Sequence, residues 1–201
     1  SDRTTYFNFL SSHDGIGVRP VEGILSERER EVLIKATLQN GGVVSYKDNG
    51  DGTQSPYELN INYQDALASP EESDEVRIGR FLAAETILLS LKGLPGIYIH
   101  SLLGSRNDYY GKTTSGIPRR INREKLEVEA LEQKLETDTN RKKIFEELLR
   151  RLQIRKKHPA FSPSAKQTVL KLDKRVFALL RESDEGDKIL ALINVSGEKA
   201  Q

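Results

Sequence analysis

The spacing of apolar and polar positions changes several times along the chain. Residues 5–10, TYFNFL, are an almost continuous apolar run, which predicts a strand buried on both faces and ended by Gly15 and Gly17. From Ser26 the period lengthens. Glu29 stands three positions on, the capping-box pattern in which each side chain satisfies a free amide at the other residue. Val32, Leu33, Ala36 and Leu38 follow at helical spacing, up to a stop near Gly41 and Gly42. Residues 43–46 and 57–61 read as short strands around KDNGDGT, whose Asn-Gly and Asp-Gly pairs supply the positive φ angles of a tight turn. Ser69-Pro70-Glu71-Glu72 predicts a second helix start, because proline is tolerated where the helix does not need its amide. The helical pattern covers residues 73–91, with Gly93 suited to a left-handed cap.

A second buried-looking strand is expected over residues 96–101, inside LPGIYIHSLLG. A polar loop over 104–120 then leads to two helices, about 124–136 and 140–157, the second carrying Ile144, Leu148 and Leu152 on one face. After His158-Pro159 the period shortens to the alternation of strands, at 168–172, 176–181 and 189–195, which predicts antiparallel sheet. A boundary at 159–163 divides the chain into segments 1–160 and 161–201. The first has the strand and helix rhythm of an α/β unit with parallel strands. Two doubly buried strands leave sheet edges unmatched, so neighbouring strands are expected upstream of this chain.

Composition narrows the class. With 31 basic and 30 acidic residues the net charge is +1, which disfavours nucleic acid as a partner. No segment reaches the roughly 20 apolar residues of a membrane span. The chain has no cysteine, so thiolate metal sites and disulfides are excluded, and a cytoplasmic setting is expected. Methionine is also absent, and the chain reads as an excised piece of a longer protein.

The chemistry-bearing patterns are few. Ser12-His13-Asp14 does not form a serine triad, because adjacent side chains on an extended segment diverge. His13 and Asp14 either close a strand by local hydrogen bonds or face a cavity at the carboxyl end of a parallel strand. Gly111-Lys112-Thr113 lacks the upstream glycine of a phosphate loop, since Arg106 stands there, and reads as an exposed turn. Asp48 to Gly52 lacks the ligand spacing of a calcium loop. His13, His100 and His158 are too scattered for zinc, so neither metal nor cofactor is expected. RKKIFEELLRRLQIRKKH carries two carboxylates, the chain is nearly neutral overall, and the stretch reads as a solvated helix.

Four ordered segments resemble a known family: FNFLSSHDGIGVRP, SPYELNINYQDAL, LPGIYIHSLLGSRNDYYG and PRRINREKL. They are similar to the sucrose phosphorylase and glucosylglycerate phosphorylase-like branch of glycoside hydrolase family 13, the α-amylase superfamily. The resemblance covers nearly the whole chain. It implies that residues 5–10 and 96–101 are the last two strands of a (β/α)8 barrel and that 161–201 begin a small antiparallel β domain. The family is retaining and uses a nucleophile and an acid about 5 Å apart. Both would lie upstream of this chain, so the chain alone is expected to be inactive.

The same resemblance implies a role for Asp14 as the carboxylate that stabilises the transition state. His13 would hydrogen-bond the same glucosyl unit. Tyr57 and Glu58 match a mobile acceptor loop, where sucrose phosphorylases commonly carry Gln at the position of Glu58; a carboxylate there requires cations nearby to admit an anionic acceptor. Arg19 is placed to meet phosphate or a glycerate carboxylate, and Arg106 and Asn107 are further substrate-binding candidates. The implied activity interconverts an α-glucoside plus phosphate with α-glucose 1-phosphate plus a released acceptor: glycerate first, then fructose or its phosphate. An α-glucoside hydrolase or transglucosidase of the same superfamily and a non-catalytic carbohydrate-binding module are the alternatives. Open sheet edges would favour self-association of the isolated chain.

Overall fold

The computed structural model describes residues 4–200, so the extreme ends of the two expected segments, 1–3 and 201, lie outside the described residues. The chain is α/β. Strand β1 (Phe7–Phe9) pairs in parallel with β5 (Leu94–Gly96), Phe7 opposite Leu94 and Phe9 opposite Gly96. Between them lies an excursion built on a three-stranded antiparallel sheet. Its strands are β2 (Ile16–Gly17), β3 (Val43–Asp48) and β4 (Gln54–Asn60), with β4 in the centre. The β3–β4 turn is the expected one, with Gly50 and Gly52 at φ +81° and +85°. Helix α1 (Glu27–Gln39) starts as the capping box predicts: Ser26 N–H donates to Glu29 Oε2 at 2.8 Å, and Glu29 N–H to Ser26 Oγ at 3.3 Å.

A one-turn helix α2 (Tyr63–Ala66) precedes α3 (Asp74–Ser90), and α4 (Ile99–Leu102) follows β5. Next come α5 (Tyr109–Ser115), a 3-10 turn (Pro118–Asn122), α6 (Val128–Thr137) and α7 (Thr139–Lys157). The core is a seam between two of these helices. Ile78, Phe81 and Leu82 of α3 pack on Ile144 and Leu148 of α7, with Tyr63 edge-on to Phe81. The chain ends in an antiparallel meander, β6 (Lys166–Leu170), β7 (Val176–Glu182) and β8 (Lys188–Asn194). Arg181 of β7 is fully buried and fastens this sheet to α3, donating to the carbonyls of Ser90 at 3.0 Å and Ser162 at 2.8 Å.

Several expectations are corrected. The apolar run at 96–101 is strand only to Gly96 and then turns into α4, because a short apolar run has the same hydropathy in either conformation. The polar loop at 104–120 contains α5, capped by Asp108 and stopped by Gly116 at φ +67°, so Gly111-Lys112-Thr113 is helical rather than a turn. Ser69-Pro70-Glu71-Glu72 is a local turn; the α3 cap is Ser73, whose Oγ accepts from Val76 N–H at 3.3 Å. Helix α6 begins at Val128 rather than near 124. Gly93 caps no helix, since α3 ends at Ser90. Its φ of +113° instead reflects close approach to β1, where an added Cβ would lie 2.6 Å from the Tyr6 carbonyl oxygen. The run at 5–10 is not buried on both faces: Phe7 is 66% and Phe9 56% exposed.

One buried group predicts a pH effect. Glu85 of α3 is 1% exposed, and its Oε2 has no hydrogen-bond partner among the described residues. Burial pushes its carboxyl up from 4.5 to about 7. A folded-state value above the unfolded one favours the folded state while the group is protonated. This contribution is therefore complete below pH 4.5 and is lost as pH rises through about 7. The expected loss is about 2–3 kcal/mol between pH 4.5 and 8. Urea unfolding of the wild type and Glu85→Gln across that range checks it: the wild type should weaken with rising pH while the variant stays level.

Candidate active site

The turn after β1 carries Ser12, His13 and Asp14, and the short strand β2 carries it across to β4. The pairs Ile16 with Leu59 and Gly17 with Glu58 bring Asp14 beside Glu58. Only glycine fits the crossing at Gly15, where a Cβ would lie 2.6 Å from the Leu59 carbonyl oxygen and 2.7 Å from Glu58 Cγ. A third segment arrives from the far side of β5. Pro118 starts the 3-10 turn; Arg119 and Arg123 reach back to the carboxylates, while Arg120 turns to Asp108.

Arg119 bridges them: Nη1 lies 3.1 Å from Asp14 Oδ1, and Nε donates to Glu58 Oε2 at 2.9 Å. Arg123 adds a second guanidinium, with Nη2 3.2 Å from Asp14 Oδ1 and Nε donating to the His13 carbonyl at 2.6 Å. The hydrogen bond to Glu58 holds Arg119 more firmly protonated than an ordinary arginine. Two carboxylates and two guanidiniums therefore meet in local charge balance. Both arginines converge on Oδ1 of Asp14, and among the described residues the charged-type partner of Oδ2 is His13 Nε2, at 3.6 Å. Asp14 is 41% exposed on its side chain and His13 70%, so Oδ2 and the imidazole remain open to a ligand; Glu58 is closed in at 6%.

Beside them, the carboxyl ends of β1 and β5 form a cleft of about 270 Å³, with Phe9, Ser12, His13 and Tyr98 among its walls. Aromatic faces with the hydroxyls of Ser11 and Ser12 and the His13 imidazole suit a polyhydroxylated ring, whose CH faces and OH edges need both kinds of neighbour.

The other candidates fall differently. Tyr57 is on β4 within electrostatic reach of Arg119, and its carbonyl accepts from Val18 N–H at 2.9 Å. Arg19 lies in an exposed 3-10 turn (Arg19–Val21), and its guanidinium has no partner among the described residues. Arg106 and Asn107 are not brought to Asp14. Arg106 Nε donates to Asp65 Oδ1 at 2.5 Å, and Asn107 donates its backbone amide to Asp65 Oδ2 at 2.7 Å. His100 is buried with Nδ1 3.0 Å from Ser105 Oγ, and burial lowers its pKa by disfavouring the charged imidazolium. Sequence reasoning assigned no role to Arg119, Asn122 or Arg123. The signal available was three arginines within five positions, at 119, 120 and 123, a density that calls for buried anions.

No protein-family profile matches the chain. Curated relatives do. A glucosylglycerate phosphorylase of Escherichia coli (strain K12) is 44% identical over 98% of this chain and 35% of its own length. Another, from Allomeiothermus silvanus, is 47% identical over 98% and 35%. Along almost its whole length the chain is similar to glucosylglycerate phosphorylases. It spans about a third of the length of the curated relatives it matches. The crystal structure of sucrose 6F-phosphate phosphorylase from Thermoanaerobacter thermosaccharolyticum superposes with a TM-score of 0.79 at 22% identity, covering 94% of this chain and 36% of that one. At that identity the likeness speaks for the fold. No helix among the described residues is long and apolar enough to cross a membrane.

Proposed function

We propose that the chain is the C-terminal part of a retaining glucoside phosphorylase, the parent enzyme. It interconverts an α-glucoside plus phosphate with α-glucose 1-phosphate plus acceptor, and glycerate ranks first as acceptor, ahead of fructose and fructose 6-phosphate. The observation that carries this reading is the guanidinium of Arg119 set between Asp14 and Glu58. It offsets the Glu58 charge, which would otherwise repel an anionic acceptor or phosphate. The names of the relatives support the same chemistry.

In this reading β1 and β5 are the last two strands of a (β/α)8 barrel, residues 161–201 open an antiparallel C-terminal domain, and the enzyme is cytoplasmic. The nucleophile carboxylate attacks the anomeric carbon while the acid protonates the departing acceptor oxygen; phosphate, giving its proton back to the acid residue, then displaces the carboxylate, and the two inversions retain the configuration overall. Those two groups lie on upstream strands. This chain supplies Asp14, which grips ring hydroxyls more tightly as positive charge develops, with His13 on the same glucosyl unit. Tyr57 and Glu58 line the acceptor side, and Arg19 is the spare cation there. Arg106 and Asn107 serve substrate binding only indirectly, by bracing the loop. By itself the chain is inactive, and exposed Tyr6, Phe7 and Phe9 favour its self-association.

Phosphate release from α-glucose 1-phosphate tests the reading, with the parent enzyme offered glycerate, fructose and fructose 6-phosphate and the 201-residue chain as blank. Release with glycerate alone is expected. Glucose formation without any need for phosphate or acceptor would replace the reading with a hydrolase, and release by the blank would place a nucleophile within this chain.

A further inference from the structure

Behind the charged pair lies a ladder of amide side chains that meets the site only through its backbone. Asn122 is 3% exposed, and its Nδ2 donates to the carbonyls of Ser12 at 2.7 Å and Asp14 at 3.2 Å. Its Oδ1 accepts from Asn62 Nδ2 at 3.3 Å, and its own carbonyl accepts from Tyr98 O–H at 2.9 Å. Asn62 is 5% exposed, caps α2 with its Oδ1, and donates its backbone amide to Asn107 Oδ1 at 2.8 Å. Asp65 closes the far end by holding Arg106 and the Asn107 amide. Four segments distant in sequence are thereby joined behind one turn.

The geometry is specific. One amide spanning the carbonyls of Ser12 and Asp14 fixes the peptide plane before His13 and the one after Asp14, and with them the direction in which Asp14 leaves the backbone. Both Nδ2 hydrogens go to this turn, Oδ1 accepts from Asn62, and the side chain is buried, so Asn122 does not present itself to a substrate. A fully buried amide is costly unless its hydrogen bonds are made, and here they are made to the one turn that carries the site.

We infer that Asn122, backed by Asn62, is a positioning residue that sets the Asp14 carboxylate against its arginines and the sugar. The inference rests on the phosphorylase reading above. A small displacement of a reacting group can cost about 100-fold in rate. Asn122→Ala in the parent enzyme is therefore expected to lower kcat for phosphorolysis by about 10- to 100-fold, with KM for the glucoside moved less than about threefold. In an Asp14→Asn background the same change should cost less than about threefold, because the group it positions has already lost its charge. Asn62→Ser keeps a capping oxygen for α2 and removes only the donor to Asn122, and a several-fold loss of kcat is expected from it.

Equal losses in both backgrounds, or an unchanged kcat in Asn122→Ala, would overturn the inference. If Asn122→Ala does not fold, Asn62→Ser decides, and wild-type kcat there overturns it. A wild-type enzyme with no phosphate-dependent turnover removes the phosphorylase reading and the inference together. An active wild type with a neutral Asn122→Ala removes the inference alone.

Discussion

Asp14→Asn in the parent enzyme is expected to lower kcat for phosphorolysis by about 10³, the loss that follows from removing one preorganised electrostatic partner of a developing charge. The substitution keeps the shape and removes the charge opposite the oxocarbenium-like centre. It also disturbs the ground state. Oδ1 accepts from both Arg119 and Arg123, so an amide nitrogen placed there would face two cations, and the amide must turn its oxygen to them. That leaves an NH2 donor where, in the proposed role, Oδ2 accepts from a sugar hydroxyl. KM should therefore rise modestly while kcat carries most of the loss, with thermal unfolding within a few degrees of wild type because Asp14 is 41% exposed. Steady-state phosphorolysis beside a melting curve checks this. A kcat within tenfold of wild type would remove Asp14 from the role assigned to it.

How far the sequence revealed this site follows from how each part is encoded. Local signals were legible: the Ser26 and Glu29 box, the glycines of the β3–β4 turn and the i, i+4 ladder of α7 each form from neighbours in the chain. Asp14 and His13 stood out because a strand breaking into two titratable residues is unusual. The arginines did not, because nothing in PRRINR says that it will lie against residues more than a hundred positions earlier. Long-range hydrogen bonds of this kind follow from topology, which periodicity cannot supply. The short elements α2, α4 and α5 were missed for the opposite reason: a helix of one or two turns shows too little of its period to be separated from a loop or an apolar strand. The exposed faces of Phe7 and Phe9 read as buried in sequence because apolar patterning records a need for cover without naming what supplies it.

The same topology makes Arg119 the second residue on which activity should depend heavily. Its guanidinium is the one cation among the described residues paired with Glu58, whose side chain is only 6% exposed. Arg119→Ala strands that carboxylate beside Asp14. Breaking a fully buried pair costs about 3–5 kcal/mol, but Arg119 is 39% exposed and water can reach the gap, so about 1–2 kcal/mol of stability is the expected loss. The catalytic effect should be larger. Two uncompensated carboxylates on the acceptor side repel phosphate and glycerate alike, and Asp14 loses half of the clamp on Oδ1. A fall of about 10²–10³ in kcat/KM for phosphate is expected, expressed more in KM than for Asp14→Asn. Arg119→Lys should recover only part of it, since an ammonium offers a point charge where the planar fork reaches both carboxylates at once. The discriminating variant is the double one. If repulsion by stranded Glu58 is the main cause, Arg119→Ala with Glu58→Gln should regain at least about tenfold over Arg119→Ala alone, because the stranded charge is gone. Phosphate saturation curves for the single and double variants decide it: a double variant no better than Arg119→Ala would mean that the arginine acts on the substrate directly and that its bridge to Glu58 is incidental.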